Sequence, residues 1–533
     1  MNFRQSLLMF CIAVAVAVAV VPVFAADPAN LNIHIGIEPP NLDQHSIFRD
    51  ETIPLMNLLF EGLVRSDGKG GYVPGMAEKW EASADGLEYT FTIRKGATWS
   101  NGDPVTAADF VYGLRRALDP ATASMYSYIL YPFRNAQAVN EGELPAEMVG
   151  VRAEGDKVTY TLEHPTSYIL SILAMPFAMP GNRDFIEPLG GDYASDANLL
   201  VSNGPYTLKE WRHSDRLVLA KNPRYWNAED IKLDTITVYV ISDSDDAVDL
   251  FLEKELDLVD VPDHYLGDFE ARGLAGPAYS DGAVFYLEFN IRDPVLSNSK
   301  IRKAIAYALD REALVRDVLA NGSLPAMSVV APSISSGAGG FYRDLVPQHF
   351  NDHDVAAAKA LLAEAMLELG VERLPPLTLI SDDGDRMKNI STLIQRMVRS
   401  SLGIDVRIQS LPFRERLERM YDGDFQIILA GLGPDYDDPM TYLEQWSTGG
   451  LFNFSGYVSA EYDRLIGLAS AEADPEERLA HLEAAESLLM EDMPIAPVYF
   501  RMRNWAHQAD VTGIVRRSLW PDPDLYRAEK TRK

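Results

Sequence analysis

The order of elements along the chain predicts an α/β protein, and three observations carry that prediction. Strand, helix and strand patterns alternate over 377–380, 387–402 and 405–409, the order that builds a parallel sheet with helices on its faces. The first half is different: it is rich in alternating strands and has only short helices. The composition, 47% apolar and 24% charged over 533 residues, is that of an ordinary globular protein with chain enough for about three or four domains. It excludes disorder, a collagen and a coiled-coil rod. With one apolar stretch near spanning length, a polytopic membrane protein is excluded too.

The formal charge is −30, from 48 Lys and Arg against 78 Asp and Glu. A surface this acidic argues against nucleic acid and anionic lipid as partners, because both are held by clustered Lys and Arg. Its plain role is solubility.

The elements follow in order. Arg4 supplies a short positive region, 7–21 is an apolar run, Pro22 breaks it, and Val23-Phe24-Ala25 places small residues at −3 and −1. Residues 1–25 therefore read as an export signal cleaved after Ala25 or Ala26. The run falls short of the ~20 residues that cross a bilayer, so membrane insertion is not expected. The only cysteine, Cys11, lies inside the run and lacks the Leu-small-small triplet of a lipid-attachment site. An exported, acidic chain with no cysteine after its signal points to a soluble, monomeric protein of the bacterial periplasm and not to a lipoprotein.

Residues 32–37, 89–94, 158–162, 216–220 and 236–241 alternate as strands. Thr106 to Asp109 has capping-box spacing, Phe110, Val111, Leu114, Ala117 and Leu118 mark a helix face, and Asp119-Pro120 stops it. The character changes near 283. A strong strand covers 284–290, a helix 300–309, and Asp310 caps another that runs out at Asn321-Gly322. A helix from 354 to 369 is stopped by Gly370. A short helix at 413–421 leads to a strand at 425–429. Asp474-Pro475 opens a late helix, and 495–500 is a late strand whose tail can return to the first half.

Several chemistries are absent. There is no phosphate loop, no G-x-S-x-G elbow and no H-E-x-x-H motif. His349 and His353 stand four apart without a third ligand, so a solvated loop near Pro347 is expected there and no metal. The acidic runs Asp382 to Asp385 and Asp435 to Asp438 lack the closing glutamate of a calcium loop and read as turn and cap residues. No cofactor is expected.

One resemblance covers essentially the whole exported chain. It rests on Leu59-Phe60-Glu61-Gly62-Leu63, on Pro74 to Trp80, and on the run Tyr89 to Phe110, which contains Lys95-Gly96-Ala97-Thr98-Trp99-Ser100-Asn101-Gly102. Asn203-Gly204-Pro205-Tyr206, Asn222-Pro223-Arg224-Tyr225-Trp226-Asn227, Ile301-Arg302-Lys303-Ala304, Gly431 to Tyr436 and Pro497-Val498-Tyr499 follow in order. The chain resembles the family 5 solute-binding proteins of ABC importers, and among them the periplasmic oligopeptide binders. That resemblance implies a two-lobe periplasmic-binding-protein fold (type II, cluster C-like) with an extra small domain on the first lobe. Lobe I would comprise 26–58, 188–282 and 507–533, the extra domain 59–187, and lobe II 283–506. The activity implied is binding, not catalysis: an oligopeptide is engulfed as the lobes close, then handed to an inner-membrane ABC permease. A muropeptide, opine or sugar would suit the same transport role. The reading from another class is an exported hydrolase, which a peptidase assay separates.

The resemblance also implies site residues. Asp435 would pair with a peptide's α-ammonium, and it follows a strand, where open α/β sheets place ligands. Gly431 and Gly433 permit close backbone approach. Phe413 and Leu432 match positions of bulky pocket walls, and Tyr126 is a further candidate. The loop 47–51, with Phe48 and Asp50, would supply backbone contacts from lobe I. Glu288 ends a central strand and would face the cleft. Where some oligopeptide binders place Arg or Lys for the ligand carboxylate, this chain has Leu319, Met420 and Leu429, and Arg386 is the nearest cation left. Some relatives bridge the lobe II strand to the Gly431–Tyr436 loop with a cysteine pair. Here Ala283 and Gly433 stand at those positions.

Overall fold

Three sheets organise the chain in the computed structural model, which describes residues 29–46, 52–67, 71–450, 452–516, 519 and 523–531. The expected signal segment and the 47–51 loop lie outside the described residues. The first sheet has the order Asn30–Ile35, Thr235–Val240, Arg216–Lys221, Tyr206–Arg212. Its first pair is parallel and the others antiparallel. Period-two alternation buries Leu31 and Ile33, Leu217 and Leu219 on one face. The first strand starts two residues earlier than its sequence pattern predicts, because Asn30 is already in register with Thr235 while Ile37 is exposed.

The second sheet, Ala77–Ala82, Glu88–Ile93, Lys157–Thr161 and Val151–Glu154, is wholly antiparallel. The helix Ala107–Leu118 covers it, burying Phe110, Leu114, Ala117 and Leu118. The helix starts where the spacing predicts: the Asp109 carboxylate accepts from the Thr106 N–H at 2.7 Å and from its hydroxyl at 3.2 Å. Each such cap contributes about 1 kcal/mol.

The third sheet is mixed and six-stranded: Leu324–Pro325, Ile495–Arg503, Tyr279–Phe289, Ile427–Leu432, Leu377–Asp382, Val406–Leu411. Strands 377–382 and 406–411 are parallel, as the strand–helix–strand pattern predicts, whereas 279–289 runs antiparallel to both its neighbours. On one face Leu287, Phe289, Leu379 and Leu429 pack with Ile301, Leu362, Ile390 and Ile394 of three helices, Ser299–Tyr307, Val355–Leu369 and Asp385–Leu402. Each fully buried aliphatic or aromatic side chain contributes about 1.5–3 kcal/mol, and truncating Ile390 or Leu429 to Ala would cost about 2–5 kcal/mol. The Asp354 carboxylate caps the second of these helices by accepting from Ala357 N–H at 2.9 Å, and Gly370 ends it at φ +66°.

These sheets make two lobes, the second sheet forming a small domain on the first lobe. The chain passes between lobes along two neighbouring strands. Tyr279–Phe289 enters the six-stranded sheet. Ile495–Arg503 leaves it and leads to Trp505–His507, which pairs with Leu258–Asp260 of the first lobe. The pairing of 279–289 with 495–503 skips between Ser280 and Val284, a β-bulge at the passage.

Candidate functional site

A cavity of about 510 Å³ lies between the lobes, within the ~300–1,000 Å³ usual for ligand pockets. The first lobe lines it with Ile33 to Gly36, with Pro54, Leu55 and Leu58 of the helix Ile53–Leu59, and with Leu258 to Asp260. The small domain adds Tyr126 and Tyr128. The second lobe adds Gly431 to Asp435, Gln445 and Phe452, and the passage strands add Asp281, Arg501 and Arg503.

Asp435 sits three residues beyond the strand Ile427–Leu432. That strand runs longer than its sequence pattern indicates, because Gly431 and Leu432 keep register with Phe285 and Val284. The Asp435 amide donates to Thr441 Oγ1 at 2.8 Å, and its Oδ2 accepts from the Tyr128 hydroxyl across the lobes at 2.8 Å. Burial, and then the nearby Asp435 charge, push the Tyr128 phenol far above its usual range, so it stays a donor. The acids that follow are committed to structure. Asp437 accepts from Ser335 N–H and Oγ at 2.8 and 2.7 Å, and Asp438 forms a buried two-pronged pair with Arg478 at 2.9 and 2.8 Å. Of these three acids only Asp435 lines the cavity. Glu444 lies behind the loop and accepts from Tyr436 OH at 2.6 Å. Its pKa is pushed up to about 7 by burial, against that hydrogen bond and with help from Asp435 and Asp438.

The structure places the other expected residues as follows. Gly431, Leu432, Gly433 and Tyr126 are on the cavity wall. Tyr126 stacks on Phe177 at 5.8 Å between ring centres. Gly431 is required by Phe285, whose ring carbons would lie 2.9–3.1 Å from any added Cβ, while a Cβ at Gly433 would meet open space. Phe48 and Asp50 lie outside the described residues.

Three expectations need correction. Phe413 is 60% exposed, 5.0 Å from the Arg416 guanidinium and away from the wall. Its helix, Phe413–Tyr421, follows the edge strand of the sheet, on the side remote from the cavity. Glu288 does not face the cleft. It is wholly buried and accepts from Ser455 N–H at 2.7 Å, because the chain around Asn453 to Tyr457 covers that end of the strand. Burial raises its pKa to about 8, against the hydrogen bonds and the Arg416 charge. Arg386 pairs with Asp263 of the first lobe at 2.5 Å and so ties the lobes together outside the cavity. Leu319, Met420 and Leu429 are core residues.

The loop near Pro347 is solvent-exposed as expected, but within it the His349 side chain turns inward, only 9% exposed, to meet Glu486 at 3.0 Å. Among the described residues no group of three His, Cys, Asp or Glu could hold a metal, and no helix is long and apolar enough to cross a membrane.

The sequence reading missed Asp281, Arg501 and Arg503, all on the wall. The Nε atoms of both arginines donate to Asp281 Oδ2 at 2.7 Å. Burial pushes Asp281 up, but Arg501 and Arg503 outweigh it and hold the carboxyl below its usual range. The signals were an Asp-Gly inside a strand pattern, which marks a bulge, and two arginines two apart beyond an apolar strand. A further pair, Arg516 with Asp260 at 2.7 Å, stands near His34, whose pKa burial and Arg516 lower against Asp260. The cavity thus offers acidic and cationic groups on apolar walls.

The family model of the bacterial extracellular solute-binding proteins, family 5, matches residues 71–454. The chain is 33% identical over 500 residues to the oligopeptide-binding protein OppA of Bacillus subtilis, covering 91% of this chain and 90% of that protein. It is 34% identical over 480 residues to the dipeptide-binding protein DppE of the same organism, covering 90% and 88%. Its fold matches Listeria monocytogenes OppA bound to peptide with a TM-score of 0.76 at 30% identity, over 95% of this chain and all of that one, 100%. Sequence and fold agree over nearly the full length, and the chain belongs to the bacterial extracellular solute-binding proteins, family 5.

Proposed function

We propose that the protein is the periplasmic peptide-binding component of an ABC importer, exported by its amino-terminal signal without a lipid anchor and working as a monomer. It takes an oligopeptide into the interlobe cavity and delivers it to the inner-membrane permease. The observation that carries this reading is Asp435, a carboxylate on the wall of a cavity built from both lobes. The family match and the peptide-binding names of its relatives support it. We further assign lobe I to 26–58, 188–282 and 507–533, the extra domain to 59–187 and lobe II to 283–506, a division supported by the grouping of strands into sheets.

In this reading Asp435 pairs with the peptide's α-ammonium, with Tyr128 holding its other side. Both charges lose water in the cavity, so removing one strands its partner, a penalty of about 2–5 kcal/mol. Asp435→Ala therefore weakens peptide binding by about 30-fold or more, and Asp435→Asn loses most of that. Calorimetry with trialanine and N-acetyl-trialanine on wild type and Asp435→Ala closes the cycle. Acetylation should weaken wild type severely and the variant little. An equal loss in both removes Asp435 as the amine's partner. Indifference to acetylation in both favours a ligand without a free amine.

A further inference from the structure

The acidic end of the cavity has a role in the reading above, and the cationic end does not. Arg501 and Arg503 are two apart on the strand Ile495–Arg503, so their side chains leave the same face. Opposite them the passage strand bulges at 281–283. The bulge is held from within: Gly282 N–H donates to Ser280 Oγ and Ala283 N–H to Asp281 Oδ1, both at 3.1 Å. It leaves Asp281 Oδ2 between the two guanidiniums. One carboxylate on two guanidiniums leaves a positive charge uncompensated. Each guanidinium has five donors, and Arg501 and Arg503 have no other hydrogen-bond acceptor among the described residues. Arg501 also lies over the Phe285 ring at 5.5 Å, and that ring stacks on Tyr499 at 4.7 Å. Both arginines are therefore oriented before any ligand arrives, which lowers the entropy lost on binding.

We propose that Arg501 and Arg503, braced by Asp281, form a subsite for a carboxylate of the ligand. The assignment rests on the reading of the ligand as a free-amine peptide held at Asp435. Charge supports it: the wall carries Asp260, Asp281 and Asp435 against Arg501, Arg503 and Arg516. Such a wall is best matched by a ligand whose own charges cancel, one ammonium and one carboxylate. Guanidinium to carboxylate is also a strong, charge-assisted and often two-pronged pairing. The separation from Asp435 is set by one junction. Gly282, at φ +78°, packs so closely on Pro434 that an added Cβ would lie 2.5 Å from its Cγ. Bulge and aspartate loop are thus locked together, and the two subsites accept a carboxylate at a fixed reach from the amine. That carboxylate is either the C-terminus of a short peptide or an acidic side chain.

The experiment is calorimetry on the exported chain with four probes: trialanine, trialanine amide, and tripeptide amides of Ala carrying a single Glu at position two or three. In wild type at least one carboxylate-bearing probe should bind about tenfold or more tighter than trialanine amide. The double variant R501Q/R503Q should erase that preference while still binding trialanine amide. Preference for trialanine identifies the C-terminus as the source, and preference for a Glu amide identifies a side chain. The wild-type comparison needs no variant, and the single variants R501Q and R503Q, each with a partial loss, guard against misfolding of the double. Peptide binding that ignores carboxylates, or a preference that survives R501Q/R503Q, overturns this subsite and leaves the Asp435 reading standing. If none of the four probes binds, both fall.

Discussion

Glu486 of the second lobe and Asp281 of the passage strand each gather basic partners, in opposite surroundings. Glu486 is wholly buried and accepts from Arg343 at 2.7 and 2.9 Å, from His349 at 3.0 Å, and from Val329 and Val330 N–H at 3.0 Å. Asp281 holds Arg501 and Arg503, whose side chains are 29% and 45% exposed, at the edge of the cavity. The first assembly has its lone pairs filled by protein and no room for anything else. The second keeps donors unspent and meets an open volume. Similar residue types thus serve the fold in one place and offer a binding surface in the other, and the difference lies in what covers them.

The comparison breaks first at Glu486. Glu486→Gln strands the buried Arg343 charge and should cost about 3–5 kcal/mol in denaturant unfolding. The pH dependence has a definite sign. Burial pushes Glu486 up, yet Arg343, His349 and the backbone donor outweigh it and hold the pKa to about 2. A depressed folded pKa stabilises above the unfolded value, about 4.3, and that stability is lost as pH falls towards about 2. The wild-type advantage over Glu486→Gln should therefore shrink between those limits. An advantage unchanged at pH 2.5 would place the stabilisation elsewhere.

Glu288 is the opposite case in the same lobe, buried with Oε2 unpartnered among the described residues and its pKa raised to about 8. A raised carboxyl pKa binds its proton in the folded state, so stability is present at low pH and lost as pH rises from about 4.3 to about 8. Glu288→Gln keeps the shape without the titration. It should be more stable than wild type at pH 9, by up to about 5 kcal/mol, with the gap narrowing towards pH 5. Parallel stability curves for the two proteins would refute the burial argument.

The smallest stability effect is expected at the cavity edge. Asp281→Asn leaves its arginines in reach of water, so unfolding free energy should change by about 1 kcal/mol or less. A loss as large as that of Glu486→Gln would make the cluster a structural brace and erase the contrast.

Much of the fold is legible in sequence because its signals are local. Asp354 and Gly370 bound their helix, Asp474 caps the helix Pro475–Asp492, and Thr106 and Asp109 start theirs, each within a few residues. The site is less legible because its partners are distant. Nothing local distinguishes Asp435 from Asp437 and Asp438. Their partners Tyr128, Ser335 and Arg478 do, and these lie from 40 to 307 residues away. His349 looks solvated until Glu486, 137 residues on, folds over it. Glu288 alternates correctly for a strand, but its cover comes from the chain around Ser455. Arg501 and Arg503 lie past the point where the apolar pattern of their strand stops, which hid their place on the wall.

The junction at Gly282 settles how the loop that carries Asp435 responds to oxidants. The loop is tied to the passage strand by the close packing of Gly282 on Pro434 and by the Tyr442 hydroxyl donating to Gly282 O at 2.6 Å. Ala283 and Gly433 carry no sulfur, and the one cysteine of the sequence is Cys11. A clasp of steric contact and one hydrogen bond is indifferent to thiols. The loop that carries Asp435 can set in a reducing compartment as well as in an oxidising one, and peptide capture should proceed equally with and without dithiothreitol.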